Sequence, residues 1–388
     1  MWNLQASKNA FSGRNGFMSD RNFWWYVLKR QNALHLFSDD DLQKVLDWRP
    51  ERSNCPEFEE EIIEMLGDVS AEVRNFLGGI FVGRTYSGDL NAEARQIDGS
   101  AWVAISLQYT SAVGAYIAAY DRYINILIRR QSGEPLPELE IMNVFELISL
   151  SRESWADEKK FAGAHQQLLS GPKERGPEFY GPFVLDAEIF VIGHELAHHL
   201  LGHTNKSAMR LRAQDEISEL LEAQQLTSFV NNRPDSQSNE LLSDVLGLKL
   251  ASTLRSRTPT DAAYRTIIAS ICALLAEADV KHHWFLPKDD VYPSTTDRIS
   301  LLLALMPAMF STVLSKGNHD SARNLVCQMA GFATACLQAS LYTRAPEDYR
   351  APTWEQVAIA TSEGSIVLAT TLGDAEAFIR RPGWIRVK

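Results

Sequence analysis

The sequence predicts a mainly α-helical chain with little strand. Three observations carry this. Apolar residues recur at i, i+3 and i+4 behind residues that cap helices. Stretches rich in Gly and Pro separate these runs. Only one segment, Ala101 to Tyr109 (AWVAISLQY), reads as a strand. The chain has 388 residues, 45% hydrophobic and 22% charged, which is ordinary for a globular protein and excludes a disordered, collagen-like or disulfide-scaffold chain. At ~150 residues per domain, the length corresponds to two or three units.

The elements are read in chain order. Phe23-Trp24-Trp25-Tyr26 is a core segment. Ser38 followed by Asp39, Asp40 and Asp41 is an N-cap with an acidic first turn, and Leu42, Val45 and Leu46 supply the apolar face. Glu57 to Met65 is a further helix with an acidic outer face, and Gln131 to Glu138 (QSGEPLPE) is a linker. Ser151 to Leu169 is polar and helical. Gly171 to Pro182 is a loop, and Asp186 caps a helix that runs to about Leu201, with Gly202 as its C-terminal signal. Leu211 to Phe229 is one amphipathic helix, Asn231 to Ser238 a loop, and Asn239 to about Ser252 the next helix. Ile299 to Met306 starts another, and Tyr342 to Pro352 breaks the pattern before the tail. The expected organisation is a mostly helical N-terminal region at 1–138, a central domain at 139–345 and a tail at 346–388.

The net charge is −11 and the pI about 5.4. A surface that neutralises phosphates needs clustered Lys and Arg, so nucleic acid and anionic membranes are not expected partners. The longest apolar run, Leu301 to Leu314, is interrupted by Pro307 and falls short of the ~18 residues of a membrane span. The N-terminus (MWNLQASKNAFSGRNGF) has no apolar signal core. Cys55, Cys272, Cys327 and Cys336 form no CxxC pair and read as thiols of a reducing compartment. A cytoplasmic protein is expected. Gly78-Gly79 lacks a GxxxxGK context, and there is no GxSxG elbow for a serine nucleophile.

The chemistry-bearing stretch is His194-Glu195-Leu196-Ala197-His198, an HExxH motif. At ~100° per residue, positions i and i+4 of a helix lie ~40° apart, one turn from each other. Two imidazoles then reach one Zn²⁺ from the same face. Glu195 lies ~100° from His194 and ~60° from His198, beside the metal, where a general base takes a proton from water. Ile189, Ile192, Leu196 and Leu200 form the opposite, core-facing sector, while Phe190 and Leu201 wall the histidine side. In the same projection His203 points ~180° away from His194.

A zinc hydrolase needs a third ligand and one open position. The HExxHxxGxxH arrangement fails, because Leu201 stands at the Gly position and Thr204 at the third His. On the next helix Glu240, Ser243, Asp244, Gly247 and Ala251 form one strip among Leu241, Leu242, Val245, Leu246, Leu248 and Leu250. Carboxylates on so apolar a helix need cationic company. A zinc ion for Glu240 and a ligand histidine for Asp244 would supply it. The other reading of this strip is a solvated face on an edge helix.

HELAHHLLGH followed by NELLSDVLGLKLA is similar to the gluzincin class of zinc peptidases. The ExxxD spacing resembles the NExxSD of thermolysin. With His203 after the motif and Gly247 three positions past the Asp, the pattern resembles more closely the CAAX-prenyl-endopeptidase type and its soluble relatives. Tyr292-Pro293 to Arg298 resembles that type's downstream His-Pro-x-x-x-x-Arg segment, with Tyr292 in place of the His. The resemblance covers about Asp186 to Leu305. It implies a zincin-like metallopeptidase domain with additional helices and a small sheet whose edge strand pairs with substrate. It implies one Zn²⁺ per chain on His194, His198 and Glu240, with Glu195 as base and Asp244 behind a ligand. Tyr292, Arg298, His282 and His283 are candidates for transition-state or substrate contacts. Their alternative reading is plain surface for His282 and His283, and a structural ion pair for Arg298.

The expected activity is peptide-bond hydrolysis on a protein or peptide substrate. A second reading keeps the metal site but makes the protein a toxin- or phage-defence-type effector, switched on by an activating protein partner to cleave one host protein. A third is a binding module with structural zinc, which would need a fourth protein ligand such as His199.

Overall fold

The computed structural model describes residues 62–134 with short gaps, 177–204, 210–252, 259–281, 292–310 and parts of 325–336. Several expected features lie outside the described residues: the aromatic run at Phe23, the helix after Ser38, most of Glu57 to Met65, Ser151 to Leu169, and the tail. The described residues are mainly helical, with one three-stranded sheet. Among them no helix is long and apolar enough to cross a membrane.

Helix α1 (Ala71–Leu77) is followed by β1 (Phe81–Thr85), β2 (Ala92–Ile97) and β3 (Ser100–Ser106). The strand order is β1-β3-β2. The β1 strand runs parallel to β3, with Phe81 opposite Trp102, and β2 runs antiparallel, with Ala92 opposite Ile105. Residues Ala101 to Ser106 are all buried, which explains a strand read as a continuous apolar run rather than as an alternation. The predicted strand ran three residues too far. Ser106 Oγ accepts from the Tyr109 amide at 3.1 Å, so it caps helix α2 (Leu107–Gln131) and ends the strand. The expected linker begins where α2 stops, at a turn with Gly133 at φ 76°.

Helix α3 (Pro177–Leu200) starts nine residues before the expected cap at Asp186. Pro177 suits a first helical position because its missing N–H has no intrahelical partner there. Pro182 lies inside the helix, at the cost of one backbone bond. Its carbonyl oxygen accepts from Arg265 at 2.7 Å. Asp186 is therefore no cap but an interior residue, 1% exposed. Arg265 grips it through Nε at 2.8 Å and Nη2 at 3.2 Å.

The single helix expected over Leu211 to Phe229 is two, α4 (Arg210–Ala223) and α5 (Thr227–Asn231). Gln225 takes a left-handed φ of 58°. The Leu226 amide then bonds the Leu221 carbonyl and the Gln225 amide the Glu222 carbonyl, a Schellman stop. Without a glycine at that position, the sequence shows no stop. Helix α6 (Asp235–Ala251) begins within the expected loop, just after Pro234. Helix α7 (Pro259–Lys281) has no counterpart in the expected elements. Ile267, Ile271, Leu274, Leu275 and Ala278 are all buried, as are Ala269, Ala273 and Ala276 between them. A helix buried all round shows no amphipathic stripe to read. Helix α8 (Thr295–Met309) starts four residues early, with the Asp297 amide donating to Ser294 Oγ at 3.2 Å.

The described chain divides into two compact units. One takes residues up to Thr110, with Glu188–Ile217 and Leu242–Thr258. It contains the sheet, the histidine-bearing half of α3 and the C-terminal part of α6. The other takes Ser111–Ala187, Ser218–Leu241 and residues from Pro259 on. In it Tyr120 and Tyr123 pack on Phe332, with ring centroids 5.3 and 5.5 Å apart. Arg233 pairs with Asp297, Arg298 with Glu277, and the Tyr180 hydroxyl with Asp121.

Candidate metal centre

Helical spacing brings His194 and His198 side by side on the last two turns of α3. Their Nε2 atoms are 3.1 Å apart, with ring centroids at 4.8 Å. Two nitrogens bound tetrahedrally to one zinc at ~2.05 Å would stand about 3.3 Å apart. The pair is thus already close to a ligand spacing. Glu240 on α6 joins them: one donor atom from each of His194, His198 and Glu240 lies within 4.8 Å of the others. His194 and Glu240 are buried and His198 half-buried. Two imidazoles and a carboxylate are a donor set that holds a divalent ion, and the group fits one.

The tautomer of His194 is set from behind. Asp244, with 0% exposure, places Oδ1 2.8 Å from His194 Nδ1. An ionised carboxylate only accepts, so Nδ1 carries the proton and Nε2 keeps its lone pair. Glu240 and Asp244 are one turn apart on α6. Their spacing therefore puts one carboxylate in the donor group and the other behind a donor. This is the arrangement expected from the sequence, and it decides against a solvated edge face.

Two glycines set how closely the backbones approach. A Cβ on Gly247 would meet the His194 backbone N at 2.7 Å and its Cα at 2.9 Å. A Cβ on Gly193 would meet the Gly247 carbonyl oxygen at 2.9 Å. The small-residue strip on α6 is thus a packing requirement. The match of Gly193 to it is not legible in the sequence, because a glycine inside a helix announces no partner.

His203 departs from expectation. The projection that pointed it away from His194 assumed a helix continuing past Leu200. Gly202 instead takes φ 76°. The Gly202 amide then bonds the His199 carbonyl at 3.2 Å and the His203 amide the His198 carbonyl at 2.9 Å. This Schellman reversal returns His203 to the metal side, its Nδ1 2.8 Å from His198 Nδ1. Ser243 Oγ lies 3.4 Å from His198 Nδ1 and 3.5 Å from His203 Nδ1.

No protein-family model, curated protein or solved structure matches the chain.

His199 is engaged elsewhere. Its Nε2 donates to the Trp102 carbonyl of β3 at 3.1 Å, and its Nδ1 accepts from Thr204 Oγ1 at 2.7 Å. It ties α3 to the sheet and does not complete the donor group. Six residues before His194, the buried Glu188 accepts from the Thr110 hydroxyl. Glu195, next to His194 in the chain, is buried, 8% exposed. Arg298, 3% exposed, is ion-paired with Glu277, and Tyr292 is half-buried. His282 and His283 lie outside the described residues. Cys272 is buried, and desolvation pushes its thiol well above the usual range, which removes it as a nucleophile.

Proposed function

We propose that the chain is a zinc-dependent endopeptidase of gluzincin type, with a zincin-like catalytic domain. The convergence of His194, His198 and Glu240 carries this reading. A divalent ion bound there supplies Lewis acidity to a scissile carbonyl and to water. Zinc is favoured by the nitrogen-rich donor set.

The chain's own residues do the rest. Asp244 holds the His194 ring and keeps its Nε2 available. Glu195 accepts a proton as water attacks the scissile carbonyl, then delivers that proton to the leaving amine. The protein would exclude a fourth donor from this set, and His199, with both ring nitrogens engaged, supports that over a structural zinc with four protein ligands. The β2 strand is an outer strand of the sheet, suited to backbone pairing with an extended peptide.

Glu195→Gln is the decisive variant. It is expected to retain zinc by elemental analysis and to abolish cleavage, read by comparing new protein N-termini in cells carrying either form. Equal cleavage by both forms would reject the proposal. Cleavage confined to one cellular protein, with none on casein, would identify the partner-activated form of the same chemistry.

A further inference from the structure

We propose that His203 is a positioning residue for His198. It accepts the His198 Nδ1 proton and so leaves Nε2 bare for the metal. This rests on the metal-site reading above. The two residues are tied twice, by the His203 amide on the His198 carbonyl at 2.9 Å and by the ring nitrogens at 2.8 Å. A contact between two Nδ1 atoms holds one proton. If it belongs to His203, the neutral His198 ring carries its own proton on Nε2 and cannot ligate. If it belongs to His198, Nε2 is a lone pair directed at the Nε2 of His194, 3.1 Å away. Only the second arrangement makes a ligand, and it places the remaining proton of His203 on its Nε2.

The two ligands are then supported by different means. His194 is backed by a carboxylate from α6, and His198 by a neutral ring from its own helix cap, with Ser243 Oγ beside both Nδ1 atoms. The Gly202 turn becomes part of the metal centre, because it alone returns the chain to His198. Groups standing behind metal-bound histidines fix ring orientation, and their loss typically weakens metal binding about 10–100-fold.

The test is a zinc competition titration against a chromophoric chelator, using the full chain, His203→Ala and His203→Asn. The thermal midpoint of each zinc-free form serves as the control for folding. His203→Ala keeps the backbone cap and removes only the ring. It is expected to bind zinc about 10–100-fold more weakly at an unchanged midpoint. His203→Asn, whose amide oxygen accepts the same bond, is expected to recover most of that loss. Parent affinity in His203→Ala would overturn the inference. An independent arm needs no variant: ¹⁵N-histidine spectra of the zinc-loaded parent should show His203 protonated at Nε2, and a proton on its Nδ1 would overturn the inference even if His203→Ala does not fold. A parent chain that binds no zinc would reject the metalloenzyme reading itself, and this inference with it.

Discussion

Asp244 is the residue on which the centre depends most sharply. It has no exposure and holds His194 Nδ1 at 2.8 Å. Asp244→Ala is expected to lower zinc affinity about 10–100-fold. It should also cost about 1–3 kcal/mol of stability, because a buried N–H loses its acceptor. Calorimetric zinc titration and urea unfolding measure the two effects separately. Glu195→Gln should leave both unchanged, since Glu195 acts on a proton rather than on the metal. A shared loss in both variants would mean that the carboxylates of this region act only as packing. At this scale the sequence was informative where spacing alone sets direction. His194, Glu195, His198, Glu240 and Asp244 are all placed by the 3.6-residue period. His203 is not placed by it, because the helix stops at Leu200.

Among the elements, the Gly193–Gly247 approach and the Gln225 stop make separable predictions. A methyl at Gly247 meets backbone atoms of His194, which cannot rotate away. Gly247→Ala is expected to destabilise the fold by about 1–3 kcal/mol and to weaken zinc binding, by displacing the backbone that carries His194. Thermal unfolding with and without zinc reads both. Gln225→Gly should act the other way. Left-handed backbone costs a side-chain-bearing residue roughly 1–2 kcal/mol, part of which is returned as unfolded-chain entropy when glycine replaces it. A net gain of about 0.5–1 kcal/mol is expected, with catalysis unchanged. The two Schellman stops show what a sequence reveals. At Gly202 the residue type matches the geometry and the stop was legible. At Gln225 the same geometry is imposed on a residue that does not favour it, and one long helix was expected.

Across the whole molecule, a metal held at this donor group would link binding to folding. The donor group takes its members from two helices, α3 and α6, with His198 and Glu240 separated by 42 positions in the chain. An unfolded chain does not hold them together. An ion that binds only the folded form adds about 4 kcal/mol when present at ~1,000 times its dissociation constant. Stripping the protein with a strong chelator should therefore lower its melting midpoint, and Zn²⁺ should restore it. An identical midpoint in both states would mean that the donor group holds no ion tightly. Helix α7 shows why much of the fold was not legible: most of it is buried on every side, so no exposed polar face marks the periodicity from which helices are read.

The local pattern of residues determined which side chains are candidate metal donors. HExxH and ExxxD are short-range statements, and a regular helix converts such spacing into direction without help from the rest of the chain. Tertiary structure decided which of those directed groups meet. It brought α3 against α6 through two glycines, turned His199 to the sheet and folded His203 back onto His198. These outcomes depend on non-local packing and on a left-handed residue that ends a helix, and a period measured along one helix contains neither.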